Sequence, residues 1–360
     1  MAEIMKGLVL VAGKGVRLRP LTYTEPKHLI PLAGKPMMQY AIEHLTDAGV
    51  KEIGIVVGYM KDLIIRKFGD GSQFNAKFEY IVQEPQMGIA HAIKVSQEYI
   101  GDDPFVVYLG DNIFKEGIRR YVKEFESNDC DAMILLTHVE NPTSFGVVEL
   151  KDGKIVRLVE KPKVPPSNYA LVGVYFFTEP IFRAIDNIRP SWRGELEITD
   201  AIQWLLDNGY KIHYDIIRGW WKDTGKPEDL LEALYLILDN IDRNVKGTIE
   251  EGAEVLGRVH IGEGTIIKSG ASIRGPAYIG RNCIIGPNTF IGPYTSIEDN
   301  TKILGGEISS SLILDDCYIE LHEDDKIVDS IIGRGTKITR RIHKRRGFKL
   351  IIGETSTVEV

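Results

Sequence analysis

The sequence predicts an α/β chain: a mostly parallel sheet covered on both faces by helices, followed by a parallel β-helix. Two patterns carry that prediction. Over the first two-thirds, short apolar runs rich in β-branched and aromatic residues alternate with segments of helical spacing. In the last third, Ile or Val recurs at every sixth residue, at Val255, Ile261, Ile267, Ile273, Ile279, Ile285, Ile291, Ile297 and Ile303. A third feature locates the chemistry. The first apolar run breaks directly into glycines, as Gly7-Leu8-Val9-Leu10-Val11-Ala12-Gly13-Lys14-Gly15-Val16-Arg17-Leu18-Arg19-Pro20. In open α/β sheets, ligands sit beyond the carboxyl ends of the strands.

Taken in order, residues 8–11, 53–57, 78–82, 105–109 and 133–136 read as strands. Met38, Ala41, Ile42, Leu45 and Ala48 share one helical face closed by Gly49, and a second helix covers residues 90–99. Strands alternating with helices favour parallel pairing with both faces buried. From residue 146 the pattern becomes strands at 146–150, 155–160 and 171–177, with Asp152-Gly153 as a hairpin turn, and a helix at 227–242 closes the region. In the hexapeptide register, one aliphatic side chain per six residues fills the corner of each triangular coil. Gly follows it at 262, 280, 286 and 292. The register loosens at Gly305-Gly306 and resumes at Ile313, Ile319 and near Ile332-Gly333. The expected organisation is a catalytic domain at 1–245, a repeat domain at 250–345 and a tail at 346–360, with the boundary near Lys246-Gly247.

With 360 residues, the chain is long enough for two domains. Its net charge of −7 argues against general binding to nucleic acid or acidic membranes. The basic run from Arg340 to Arg346 is the local exception, and it reads as a solvated strand or a subunit contact. Three widely spaced cysteines, Cys130, Cys283 and Cys317, form no disulfide framework or zinc pattern. No basic-then-apolar leader and no run of membrane-spanning length stands in the sequence, so a reducing cytoplasm is the expected location.

The glycine loop fits neither well-known fingerprint. A dinucleotide site wants a third glycine where Leu18 stands, and the Walker Gly-Lys-Ser/Thr is absent. What remains is a backbone-lined turn with Arg17 beyond it, either a phosphate cradle or a plain strand-to-helix turn. The next stretch, Glu25-Pro26-Lys27-His28-Leu29-Ile30-Pro31-Leu32-Ala33-Gly34-Lys35-Pro36-Met37, reads as an exposed, rigid loop between prolines. Together these motifs resemble the sugar-1-phosphate nucleotidylyltransferases, in particular the long type of glucose-1-phosphate thymidylyltransferase with a hexapeptide-repeat tail. The resemblance covers residues 5–240, and the tail fits the same type.

That resemblance implies a Rossmann-like, mixed but mostly parallel sheet followed by a left-handed β-helix. It implies that Arg17 and Lys27 are catalytic, facing the triphosphate as charge grows on departing pyrophosphate. Nucleotide contacts would come from Leu10, Ala12, Gly13, Gly15, Gln83, Gly88 and Asp111. Gln83 and Gly88 stand in the stretch that resembles the base-reading segment, where an amide can pair with the imide edge of thymine or uracil. Asp111 and Asp223 would hold Mg²⁺, completed by phosphate oxygens and water; taken alone, each reads as a cap or turn residue. The sugar 1-phosphate would meet Gly146, Glu160, Lys161, Val172 and Arg193. Glu160 and Lys161 alone would make only an exposed ion pair. Arg193 reads equally as a helix-start arginine pairing with local acids, and Trp221 as either a site wall or core. The family commonly carries Thr or Ser where Val16 stands, and Val16 cannot hydrogen-bond.

The implied reaction is a direct displacement by an already ionised phosphate, with no general base. His28 and His91 lie inside motifs without a catalytic role. The substrates expected are dTTP and glucose 1-phosphate. UTP with glucose 1-phosphate or an N-acetylhexosamine 1-phosphate, or GTP with mannose 1-phosphate, are the rival pairs. A non-catalytic regulatory subunit of similar build is the reading from another class, and the presence of Arg17, Lys27, Asp111 and Asp223 weighs against it. His260, His322 and His343 are the histidines that an acyltransferase tail could invoke, and each reads as a surface histidine. The tail is expected to oligomerise or regulate, giving a homo-oligomer with no nucleic-acid or membrane partner.

Overall fold

The computed structural model describes residues 5–339, so the basic run and His343 lie outside the described residues. The chain divides into two compact units. The first comprises residues 5–14, 25–29 and 37–223; the second comprises Gly15–Thr24, Ile30–Pro36 and residues 224–339.

The first unit is built on one sheet. Its strands are β1 (Lys6–Leu10), β2 (Glu52–Val57), β3 (Lys77–Val82), β4 (Phe105–Leu109), β6 (Ala132–His138), β7 (Gly146–Lys151), β8 (Lys154–Glu160), β9 (Tyr169–Phe177) and β10 (Ile212–Ile216). The spatial order is β8-β7-β9-β4-β1-β2-β3, with β6 also pairing β9 and β10 pairing β6. The strands β4, β1, β2 and β3 run parallel, and β9 pairs antiparallel with β4, β6 and β7. Alternation along β1 explains why both faces are covered. Val9 points into one buried layer with Met38, Ile42 and Tyr108, and Leu8 and Leu10 into the other with Ile93, Ile134 and Ile202. A separate two-stranded ribbon pairs β5 (Asn112–Phe114) with β11 (Trp221–Asp223).

The helical pattern around Met38 forms Met37–Asp47, with Gly49 at φ +95° beyond its end. Asp152 and Gly153 adopt φ +52° and +73°, the geometry of the expected hairpin turn. The expected helix at 90–99 is instead two, Ile89–Val95 and Gln97–Ile100. Ser96 separates them, and its Oγ donates to the Ala92 carbonyl. That bond competes with the helical ladder and turns the chain there. No described helix is long and apolar enough to cross a membrane.

In the second unit, three parallel sheets stack coil upon coil. The in-phase isoleucines from Ile261 to Ile303 are fully buried in one column-filled core. Ile279 pairs with Ile297, eighteen residues on; Ile297 pairs with Ile313, sixteen residues on. The loosened register is therefore a short coil, turned at Gly305 and Gly306, whose φ values of +72° and +67° suit glycine. The first coil begins at Asn244–Val245.

Candidate active site

Asp111 follows β4 at the carboxyl edge of the sheet, in the turn between β4 and β5. Lys27 lies on the short 3₁₀ turn Lys27–Leu29, and its Nζ makes an ion pair with Asp111 Oδ2. Both side chains are largely buried, at 12% and 16% exposure. Burial alone would raise the Asp111 pKa. The Lys27 ammonium, with hydrogen bonds donated by Lys27 and Asn112, outweighs it and holds the carboxyl well below its usual range. His28 beside them is lowered to about 3 by burial and by Lys27, so it is neutral at pH 7.

Register on the β5–β11 ribbon sets the second carboxylate: Asp223 lies opposite Asn112, one residue from Asp111. A third carboxylate, Glu160, shares the neighbourhood. The buried Tyr175 hydroxyl is pushed upward by burial and then by the charges of Glu160, Asp223 and Asp111. Among the described residues, no group of three or more His, Cys, Asp and Glu side chains is arranged to hold a metal. Asp111 and Asp223 offer hard carboxylate oxygens here. That fits a Mg²⁺ site in which the substrate phosphates and water supply the remaining ligands.

Asn112 was missed as a functional residue in the sequence, although it directly follows Asp111. It is buried, donates through Nδ2 to Asp111 Oδ1 (3.1 Å), and accepts from Trp221 Nε1 (2.7 Å) and the Gly173 amide (3.1 Å). Trp221 thus has a polar anchor, with Phe145 edge-on at 5.4 Å. A Cβ on Gly173 would come within 2.4 Å of Asn112 Oδ1. The Gly173→Ala variant should therefore tilt Asn112 and lower kcat about tenfold or more. Steady-state kinetics, with near-ultraviolet dichroism of Trp221, would check this.

Gln83 closes β3, buried at 4% exposure. Its Nε2 donates to the Gly88 carbonyl (3.0 Å) and lies 3.1 Å from His91 Nδ1. One amide hydrogen is thereby engaged inside the protein, by the Gly88 carbonyl. Gly88 has φ +95°, and a Cβ there would lie 2.6 Å from the Leu196 carbonyl oxygen, so only glycine fits. Leu10 and Ala12 are buried and can offer only backbone. Gly13 is exposed, with the Lys27 arm nearest to it.

On the sugar side, Gly146 and Glu160 are cross-strand partners. Glu160 Oε2 accepts from Thr199 Oγ1 at 2.6 Å, which fixes the carboxylate. Thr199 is a second partner that no motif or periodicity singles out. Lys161 has φ +40°, a strained value for a residue with a Cβ. Val172 is fully buried, leaving its backbone for any ligand. Arg193 pairs with two acids of its own stretch, Glu195 (2.6 Å) and Glu197 (3.5 Å), and with the distant Glu160 (3.5 Å). An open cavity of about 600 Å³ is lined by Glu160, Lys161, Trp192, Arg193 and Gln203.

Gly15 and Arg17 belong to the second unit. Gly15 has φ +61°, and its carbonyl accepts from Thr22 Oγ1 at 2.8 Å. The Arg17 guanidinium packs on the backbone of Gly225. Val16 is 55% exposed, so its missing hydroxyl leaves no buried group unsatisfied.

The mostly parallel sheet and the comparisons with known proteins together define a nucleotide-transferring enzyme. The nucleotidyl transferase family model matches residues 6–240, and the chain belongs to that family. A bacterial transferase hexapeptide model of six repeats matches residues 258–293. Along 99% of this chain and 99% of the relative, the sequence is 44% identical to the glucose-1-phosphate thymidylyltransferase of Streptomyces antibioticus. It is 45% identical to the low-salt glycan biosynthesis nucleotidyltransferase Agl11 of Haloferax volcanii, covering 99% of this chain and all of that one. The crystal structure of a UDP-glucose pyrophosphorylase complexed with UDP-glucose matches 66% of this chain and 99% of its own, with a TM-score of 0.59 and 28% identity. Nucleotidyltransferases of this kind use divalent metal ions.

Proposed function

We propose that this nucleotidyltransferase moves a thymidylyl group from dTTP to glucose 1-phosphate, giving dTDP-glucose and pyrophosphate. The supporting observations are the Lys27–Asp111 ion pair and the register that sets Asp223 opposite Asn112, the residue after Asp111. Near-full-length similarity to a glucose-1-phosphate thymidylyltransferase supports the choice of substrates.

In this reading, the Gln83 carbonyl oxygen accepts from the imide N–H of the pyrimidine. The Gly88 backbone lies close against the base. Glu160 accepts from sugar hydroxyls, with its orientation fixed by Thr199. Lys161 and Arg193 attract the sugar phosphate. Asp111 and Asp223 would hold Mg²⁺, which when bound polarises the α-phosphate. Lys27 would offer its ammonium to the charge that grows on the departing pyrophosphate. Arg17 is assigned the same task from the motif alone. Displacement is in line and needs no base, because the sugar phosphate is already ionised. The reading also includes a homo-oligomer formed through the repeat domain and a cytoplasmic location.

A pyrophosphate-release panel tests it, crossing dTTP, UTP, GTP, CTP and ATP with several sugar 1-phosphates, with and without Mg²⁺. The expected result is greatest release with dTTP and glucose 1-phosphate, dependent on the metal. Preference for UTP or GTP would overturn the nucleotide assignment, and preference for another sugar would overturn the acceptor.

A further inference from the structure

The second unit joins part of the Lys27-to-Met37 motif to the β-helix. The strands Pro31–Leu32 and Lys35–Pro36 form a small hairpin whose turn residues, Ala33 and Gly34, have φ +51° and +82°. Two side chains of the β-helix meet that turn. Glu298 Oε1 accepts from the Gly34 amide at 3.3 Å. The Tyr278 ring tip lies against the Gly34 Cα: a Cβ there would be 2.1 Å from the hydroxyl oxygen and 2.5 Å from Cζ. Both β-helix groups are themselves held. Ser296 Oγ donates to Glu298 Oε1 at 2.7 Å, and Tyr278 stacks on His260 with centroids 4.8 Å apart.

The repeat does not require Glu298. The hexapeptide register at that coil asks only for Ile297, which is fully buried beside it. Glu298 is 2% exposed, and burying a carboxyl is unfavourable unless its oxygens have partners. The partners here are a neighbouring hydroxyl and the amide of a loop more than 260 residues away in sequence. The same unit docks the helix Pro227–Leu238 on the repeat in a similar way. Tyr235 donates to the Ser310 carbonyl at 2.8 Å, and its ring packs on Tyr294 at 5.3 Å.

We propose that Glu298 and Tyr278 are positioning residues for nucleotidyl transfer, fixing the Ala33-Gly34 turn and so the Lys27-to-Met37 stretch to which it belongs. The repeat domain then supports a catalytic loop and is more than an assembly module. The fixing is local: an acceptor for one amide, and an aromatic wall that only glycine can approach.

The test compares Glu298→Ala with Glu298→Gln in the full chain, by steady-state kinetics and amide hydrogen exchange. The kinetic arm rests on the transferase assignment, and the exchange arm does not. Glu298→Ala removes the acceptor and should lower kcat/KM at least tenfold, with faster exchange at Gly34 and Lys35. Glu298→Gln keeps an acceptor oxygen and should stay within threefold of wild type. Kinetics of Glu298→Ala within twofold of wild type, or a tenfold loss in Glu298→Gln, would overturn the proposal. Should Glu298→Ala not fold, wild-type exchange decides. The Gly34 amide should be protected like that of Glu298, and exchange as fast as at Gly153 in the Asp152-Gly153 turn would overturn it.

Discussion

Replacing Asp111 with asparagine should lower kcat by about 10²–10³-fold or more while leaving the fold intact. Asparagine preserves the shape and keeps one acceptor oxygen for Lys27, while its amide nitrogen takes the place of the oxygen to which Asn112 donates, and it removes the negative charge. Alanine would go further and strand the Lys27 ammonium, which is only 12% exposed. Breaking a mostly buried pair from one side destabilises by about 2–4 kcal/mol, so the alanine variant would mix lost chemistry with lost stability. The asparagine variant separates them, with pyrophosphate release reporting chemistry and thermal melting reporting stability. Turnover within tenfold of wild type would remove Asp111 from the metal role. Asp111 is depressed in the folded protein, so the pair's stabilisation is present above pH about 4 and lost as pH falls further.

The second large effect lies in the repeat domain. Glu298 is raised from 4.5 to about 8, first by burial, and then by the nearby carboxylates of Asp315 and Asp299. The hydrogen bonds from Ser296 and Gly34 oppose the rise. Arg334 faces Asp315 at 2.9 Å, and the Tyr278 hydroxyl is itself pushed up by burial and by Glu298. Between the two pKa values the folded state binds the extra proton. Stability therefore falls as pH rises from about 4.5 to about 8, and the full cost is present above that. A shift of this size corresponds to roughly 3–5 kcal/mol. Glu298→Gln should remove the dependence, melting several degrees above wild type at pH 9 and close to it at pH 5. Parallel melting curves across that range would show that Glu298 ionises in the folded protein at its ordinary pKa, with no burial penalty.

Much of this architecture was legible because it rests on local periodicity. Alternation with period two along residues 8–11 and 53–57, and the six-residue recurrence of Ile, each report one side chain's burial directly. Ser96 shows the limit: its side-chain bond to Ala92 divides a helix whose apolar pattern runs on unbroken. Motifs placed Lys27, Gln83, Asp111 and Glu160 in order along the chain, but no periodicity says which of them touch. Asn112 and Thr199 were passed over because their roles exist only through partners distant in sequence, Trp221, Gly173 and Glu160.

By itself the sequence determined a mixed sheet followed by a repeat, a glycine loop without a dinucleotide or Walker fingerprint, and the residues able to carry phosphate and metal chemistry. Only the tertiary structure decided that Lys27 pairs with Asp111, that Asp223 stands opposite Asn112, and that the Gly34 turn belongs with the β-helix. The physical reason is that pairing, register and burial of charge depend on which distant segments share a low-dielectric neighbourhood, and chain closure sets that neighbourhood.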